Sequence, residues 1–151
     1  ERLHMMHARG RRAPRLHATV EGAVASFRLL PRETTAAPAL LAHLAREGVI
    51  RRDGGWQYRF DPACNASRRP VDAWPLLGRI AAPTLVVRGE LSPILPADMA
   101  ERLRAAIPRA RLVEIPEAHH HLVLDAPAPF TAALAKFLSE EASTAPSEAS
   151  P

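Results

Sequence analysis

Residues 82–90 read APTLVVRGE, and the fold of the chain turns on them. Leu85, Val86 and Val87 form an unbroken apolar run between Pro83 and Gly89. Such a run, bounded by turn residues, suits a strand buried on both faces of a sheet. Residues 96–108 follow as PADMAERLRAAIP, with Met99, Leu103, Ala106 and Ile107 on one helical face. Asp98 and Glu101 fall in its first turn, where carboxylates complement the helix dipole. Residues 110–116, ARLVEIP, then read as a second strand, alternating enough to lie near a sheet edge. Past Pro127 and Pro129, the spacing of Phe130, Leu134, Phe137 and Leu138 predicts a last helix. Residues 81–139 therefore spell strand, helix, strand, helix, an α/β unit whose two strands should be parallel and joined by a right-handed crossover. From Glu140 onward, EEASTAPSEASP carries no apolar residue larger than alanine, so residues 140–151 are expected to form a disordered tail.

Upstream, residues 1–80 have a different character and are expected to form a mainly helical region. Val20, Val24, Phe27 and Leu30 recur at the spacing of one helix face, and Pro31 should stop that helix. A second helix is expected after Pro38, with Leu40, Leu41 and Leu44 on one side and Gly48 as its C-terminal cap. In RRDGGWQYRF (residues 51–60), Asp53-Gly54-Gly55 reads as a turn, and Trp56, Tyr58 and Phe60 alternate as in a short strand. Residues 61–80 are rich in proline and arginine, with one helical turn around Trp74 to Leu77.

Charge and composition exclude several classes of function. The net charge of +4 comes almost wholly from arginine, Lys136 being the one lysine, which is the mark of a compositional bias more than of phosphate binding. The densest basic cluster, ARGRRAPR at residues 8–15, has no interleaved aromatic ring on which a base could stack, so no nucleic-acid partner is expected. No stretch of 18 apolar residues exists, so no membrane span is expected either. Cys64 is the one cysteine, which rules out a disulfide within the chain and favours a cytoplasmic location.

Two parallel strands, one of them apolar on both faces, cannot cover themselves. The missing neighbours are expected from an N-terminal half of the same fold lying before Glu1. Here the sequence resembles the C-terminal half of the α/β-hydrolase superfamily, through four landmarks in register. APTLVVRGE resembles the strand before the acid loop, and Pro96 stands seven residues after Gly89 as that loop commonly has it. ARLVEIPEAHH (residues 110–120) resembles the final strand and its catalytic-histidine loop. Asp125 and Pro127 stand five and seven residues after His120, where the family's last helix usually opens. The resemblance covers about sixty residues and implies that residues 1–80 occupy the place of a variable cap. The fold it implies is a partial α/β-hydrolase fold: a C-terminal parallel β-α-β-α unit preceded by a mainly helical cap.

That resemblance implies a hydrolase acting on an ester-like or other small organic substrate without a cofactor. It aligns the family's Gly-His pair with His119-His120, which makes His120 the general base of a triad scheme. His119 then stands in a glycine's place, and glycine there often serves an unusual backbone or a close approach. A metal clip is the weaker reading of His119, His120 and His121, because adjacent side chains in an extended segment point to opposite faces. The family's acid commonly falls three residues after the glycine, and that position is Ser92. Serine can accept a hydrogen bond from the imidazole but supplies no charge. Three readings stay open: the acid lies upstream of Glu1, Glu90 substitutes for it, or the protein is catalytically impaired. Phe27, Trp56, His119 and Leu122 are candidate substrate-pocket residues, with Tyr58 and Met5-Met6 as further apolar candidates. No Gly-x-Ser-x-Gly elbow occurs, so neither Ser26 nor Ser67 is a nucleophile candidate. The alternative function is a non-catalytic binding or partner protein built on a hydrolase remnant.

Overall fold

The computed structural model describes residues 15–61, 63–66, 69 and 71–144. The basic cluster before Arg15, His4, His7, Met5-Met6, Ser67 and the tail from residue 145 lie outside the described residues. The chain divides into two compact units. The first takes Glu1–Leu29 and Ala36–Asp72, and the second takes Leu30–Thr35 and Ala73–Pro151.

The first unit is built from two helices and a hairpin. Helix α1 spans Val20–Ala25, and its Thr19 hydroxyl caps it by accepting from the Gly22 N–H at 3.0 Å. It ends at Ala25, six residues before the expected stop at Pro31, where the N–H groups of Ser26 and Phe27 close it by donating to the Ala23 and Val24 carbonyls. Helix α2 spans Pro38–Glu47, opened by its proline and capped by Gly48 as expected. Strand β1 (Val49–Arg52) pairs antiparallel with β2 (Gly55–Tyr58), Val49 opposite Tyr58. The sequence pattern shows only the second of these strands. Gly54 makes the turn between them at φ 87°, a conformation open to glycine at little cost. His17 extends the hairpin by exchanging both backbone hydrogen bonds with Trp56 at 2.8 Å. A short helix, α3, spans Ala63–Ala66.

The second unit carries the predicted α/β pattern. After a helical turn at Trp74–Leu77 (α4), strand β3 spans Thr84–Gly89, helix α5 spans Ala97–Ala106, and strand β4 spans Ala110–Ile115. The strands are parallel and in register from Thr84 opposite Ala110 to Gly89 opposite Ile115. Helix α5 turns Ala100 inward, with Met99, Leu103 and Ala106 half-buried beside it and Ile107 buried just past its end. A short helix, α6 (Leu122–Asp125), precedes the last helix, α7 (Pro127–Thr144).

Two expectations for this unit are corrected. The β3 run is not buried on both faces, since Thr84 to Val87 are only half-buried in a two-stranded sheet. Helix α7 runs past residue 139 to Thr144, because Arg111 binds both Glu140 and Glu141 and Arg109 binds Glu141. On its outer face Leu134 and Leu138 stay exposed. The buried hydrophobic residues described are small or medium-sized (Ala23, Ala45, Val49, Ala100, Ile107, Ile115 and Ala118), and no described large side chain is fully buried. Burial of apolar area is the main favourable term in folding, so a sheet this thinly covered leaves much of that term unrealised.

Candidate functional site

In open α/β sheets, reactive groups gather beyond the carboxyl ends of the strands. Strands β3 and β4 end side by side at Gly89 and Ile115, so the loops that follow them start together. Backbone bonds hold the two loops against each other. The Glu90 N–H donates to the Ile115 carbonyl at 3.0 Å, and the Leu91 N–H donates to the Ala118 carbonyl at 2.9 Å. Gly89 lies at the crossing point. A Cβ on it would sit 2.1 Å from the His119 carbonyl oxygen and 2.4 Å from that of Ala118, so no larger residue fits.

That packing brings Ser92 to His120. The Ser92 hydroxyl is 3.0 Å from His120 Nδ1 and is buried, with the residue only 7% exposed. It also accepts the N–H groups of Ile94 and Leu95, each at 3.3 Å. Serine's position three residues after Gly89 thus places it on the imidazole, where the resemblance puts the acid. Glu90 does not take over that position. Its Oε2 accepts the Glu117 N–H at 2.8 Å, which holds the histidine loop but leaves the imidazole to Ser92.

Arg88, one residue before the glycine, is a functional group that the sequence pattern did not single out. Its side chain is 6% exposed, yet it is charged and sits inside a strand. Its Nε donates to the Leu95 carbonyl at 3.1 Å and its Nη2 to the Glu90 carbonyl at 2.9 Å. A third guanidinium nitrogen pairs with Glu114 on the neighbouring strand. One planar fork therefore ties both ends of the Ser92 loop. A charged residue placed between an apolar run and a glycine is the one signal that could have marked it.

The three histidines have separate surroundings. His120 faces Ser92, and its ring lies edge-on to that of His121 at 5.5 Å between centroids. His121 donates from Nε2 to the Pro31 carbonyl at 2.9 Å. His119 Nδ1 is buried without a hydrogen-bond partner. His119 does not adopt the unusual backbone that a glycine's place suggests. The left-handed residue is Glu117, at φ 55°, and the close approach is made by Gly89 across the loop. Among the described residues, no group of three or more His, Cys, Asp or Glu side chains is placed to hold a metal ion.

Asp125 has a larger part than opening the last helix. Its Oδ1 accepts the Thr34 hydroxyl and the Thr35 N–H (3.0 Å), and its Oδ2 accepts the His121 N–H at 3.0 Å. The Thr35 hydroxyl donates to the Asp125 carbonyl at 3.2 Å. Residues 30–35 are thereby strapped to the histidine loop, which explains why they belong to the second unit. Leu122 opens α6 directly after His121 and is half-buried.

Phe27 and Trp56 lie in the first unit. Phe27 packs against Tyr58 with 6.2 Å between ring centroids, and Trp56 is held in the hairpin by His17. A second histidine–serine contact occurs here, since Ser26 Oγ is 3.3 Å from His17 Nε2 and 3.0 Å from the Tyr58 hydroxyl. Ser26 also donates to the Ala23 carbonyl at 2.8 Å, and Tyr58 donates to the same carbonyl at 2.6 Å. Both hydroxyl protons are thus committed to the end of α1, which makes this cluster a helix closure.

The model of the alpha/beta hydrolase fold family matches residues 25–127. Among solved structures, E-2-(acetamidomethylene)succinate hydrolase superposes with a TM-score of 0.73 at 23% identity, over 91% of this chain and 52% of that one. A hydrolase from Pseudomonas aeruginosa PA01 gives a TM-score of 0.60 at 25% identity, over 91% of this chain and 49% of that one. The thioesterase domain from the curacin biosynthetic pathway gives 0.64 at 20% identity, over 82% and 44%. The chain thus spans about half the length of these structures. No curated protein sequence matches it. Among the described residues, no helix is long and apolar enough to cross a membrane.

Proposed function

The chain belongs to the α/β-hydrolase fold family, and from that premise we propose that it supplies the cap and the C-terminal core of a hydrolase for ester-like or other small organic substrates. His120 is the general base in this reading. The observation that carries it is the Ser92–His120 contact at 3.0 Å, formed by loops that leave adjacent parallel strands at the same register. A histidine so placed takes a proton from a nucleophile or a water during attack on a carbonyl carbon. The nucleophile and the groups that stabilise the oxyanion come from an N-terminal half that completes the sheet. The half-buried β3 and the half-length match to hydrolase structures support this division. His119 and Leu122, which flank the His120–His121 pair, are assigned to the substrate pocket, no cofactor is assigned, and a single cysteine, Cys64, suits a cytoplasmic location.

The test is hydrolysis of short acyl esters by the protein expressed from its full reading frame, compared with His120→Ala. Loss of at least a hundredfold in kcat/KM supports the base role. Undiminished hydrolysis in the variant refutes it. A second reading, a non-catalytic binding protein on a hydrolase scaffold, draws on the neutral Ser92 at the acid's position. It requires that neither the parent nor the variant turn over any ester.

A further inference from the structure

We propose that Ser92 reverses the proton arrangement of the triad, holding neutral His120 with its proton on Nε2 so that Ser92 donates the hydrogen bond and Nδ1 accepts it. The inference follows from counting protons and lone pairs. A serine hydroxyl has one proton and two acceptor sites. Three polar groups surround Ser92 Oγ: the N–H groups of Ile94 and Leu95, each at 3.3 Å, and His120 Nδ1 at 3.0 Å. A backbone N–H can only donate, so the first two occupy both acceptor sites. The one remaining possibility for Nδ1 is the hydroxyl proton. Nδ1 therefore accepts, and the single proton of the neutral ring sits on Nε2.

A carboxylate at this position behaves in the opposite sense. It has no proton to give and accepts from Nδ1–H, which leaves Nε2 free to take a proton from the nucleophile. With Ser92 in place, His120 in its resting form carries a hydrogen where a base needs a lone pair. The base-competent tautomer would point Nδ1–H at a hydroxyl oxygen whose acceptor sites are already filled. Ser92 is thus a positioning residue that stabilises the less reactive tautomer, and the missing negative charge is only part of its effect. The loop that enforces this is fixed by Arg88, which grips the carbonyls at Glu90 and Leu95 on either side of the serine.

The structural part of this inference stands on geometry alone, while its catalytic consequence rests on the proposed role of His120 as base. The experiment separates the two. Protein labelled with ¹⁵N-histidine is examined by long-range ¹H–¹⁵N correlation above the titration range of its histidines, with His120 assigned from its disappearance in His120→Gln. A pyridine-type Nδ1 and a pyrrole-type Nε2 are expected, and a pyrrole-type Nδ1 overturns the inference whatever the variants do. Ser92→Asp offers a carboxylate with room for both N–H donors and for Nδ1–H. It should switch the ring to the Nδ1–H tautomer and raise kcat/KM for short esters by about a hundredfold or more. A switched tautomer with unchanged hydrolysis upholds the proton arrangement and counts against His120 as the base. An unswitched tautomer in folded Ser92→Asp overturns the claim that Ser92 selects it.

Discussion

Replacing Gly89 with alanine tests whether the crossing of the two loops organises the site. The added Cβ would lie 2.1 Å from the His119 carbonyl oxygen and 2.4 Å from that of Ala118. Both obstacles are backbone atoms, so a rotamer change cannot clear them. The histidine loop must retreat by more than about 1 Å to restore van der Waals distance. Overpacking of this kind costs about 1–3 kcal/mol. The retreat also breaks the bond from the Leu91 N–H to the Ala118 carbonyl and strains the bond from Glu90 to Ile115, at about 0.5–1.5 kcal/mol each. The total is about 4 kcal/mol of stability, and the Ser92–His120 contact is lost with it. Urea unfolding followed by tryptophan fluorescence should show a midpoint lowered by more than about 1 M, given slopes of about 1–3 kcal/mol/M. Gly78→Ala is the control. Its backbone is helical at φ −63°, a Cβ there meets nothing within 4 Å, and the change should be neutral or stabilising by up to about 1 kcal/mol. If Gly89→Ala falls within about 0.5 kcal/mol of the parent, the loops do not cross as described.

Arg88→Met should lower stability by about 3 kcal/mol, because it removes two charge-assisted bonds to the Glu90 and Leu95 carbonyls, and the same unfolding assay reads it. Asp125→Ala removes the acceptor shared by Thr34, Thr35 and His121, so trypsin should cut after Arg32 at least tenfold faster, whereas Asp125→Asn, which keeps one acceptor oxygen, should show less of this effect. Thr19→Ala should cost about 1 kcal/mol through loss of the α1 cap, measurable in the same unfolding experiment, while Thr19→Ser should cost almost nothing. Arg111→Ala should change stability by no more than about 1 kcal/mol in 0.5 M salt despite its two glutamate partners, since all three side chains reach solvent.

The strands and the crossover helix of the second unit were legible because their signals are local. An apolar run between Pro83 and Gly89 needs no knowledge of the rest of the chain to read as a strand. The spacings from Gly89 to Ser92 and from His120 to Asp125 likewise depend only on loop length. What was hidden depends on distant partners. Strand β1 ends in two arginines and carries a strand's identity only by pairing with β2 across Gly54. Helix α1 stops at Ala25 although apolar residues continue, because Ser26, Tyr58 and His17 gather at its end. Glu140 and Glu141 look like the start of a solvated tail until Arg109 and Arg111 are found opposite them. Ser92 is legible in the sequence at the position where the resemblance puts the acid. The hydrogen-bond direction we infer for it rests on where the N–H groups of Ile94 and Leu95 point, which residue type does not encode.

The strap at residues 30–35 bears on how such a protein can be recombined. The chain leaves the first unit at Leu29, contributes a short piece to the second through Asp125 and His121, and returns at Ala36. Neither unit is therefore a single contiguous stretch of gene. A chimera that exchanges the region before Asp72 as one block would import a foreign strap and leave Asp125 and His121 facing residues they were not matched to. A transplant of substrate preference between relatives should keep residues 30–35 with the recipient's histidine loop, or carry Asp125 and His121 along with the donor's strap.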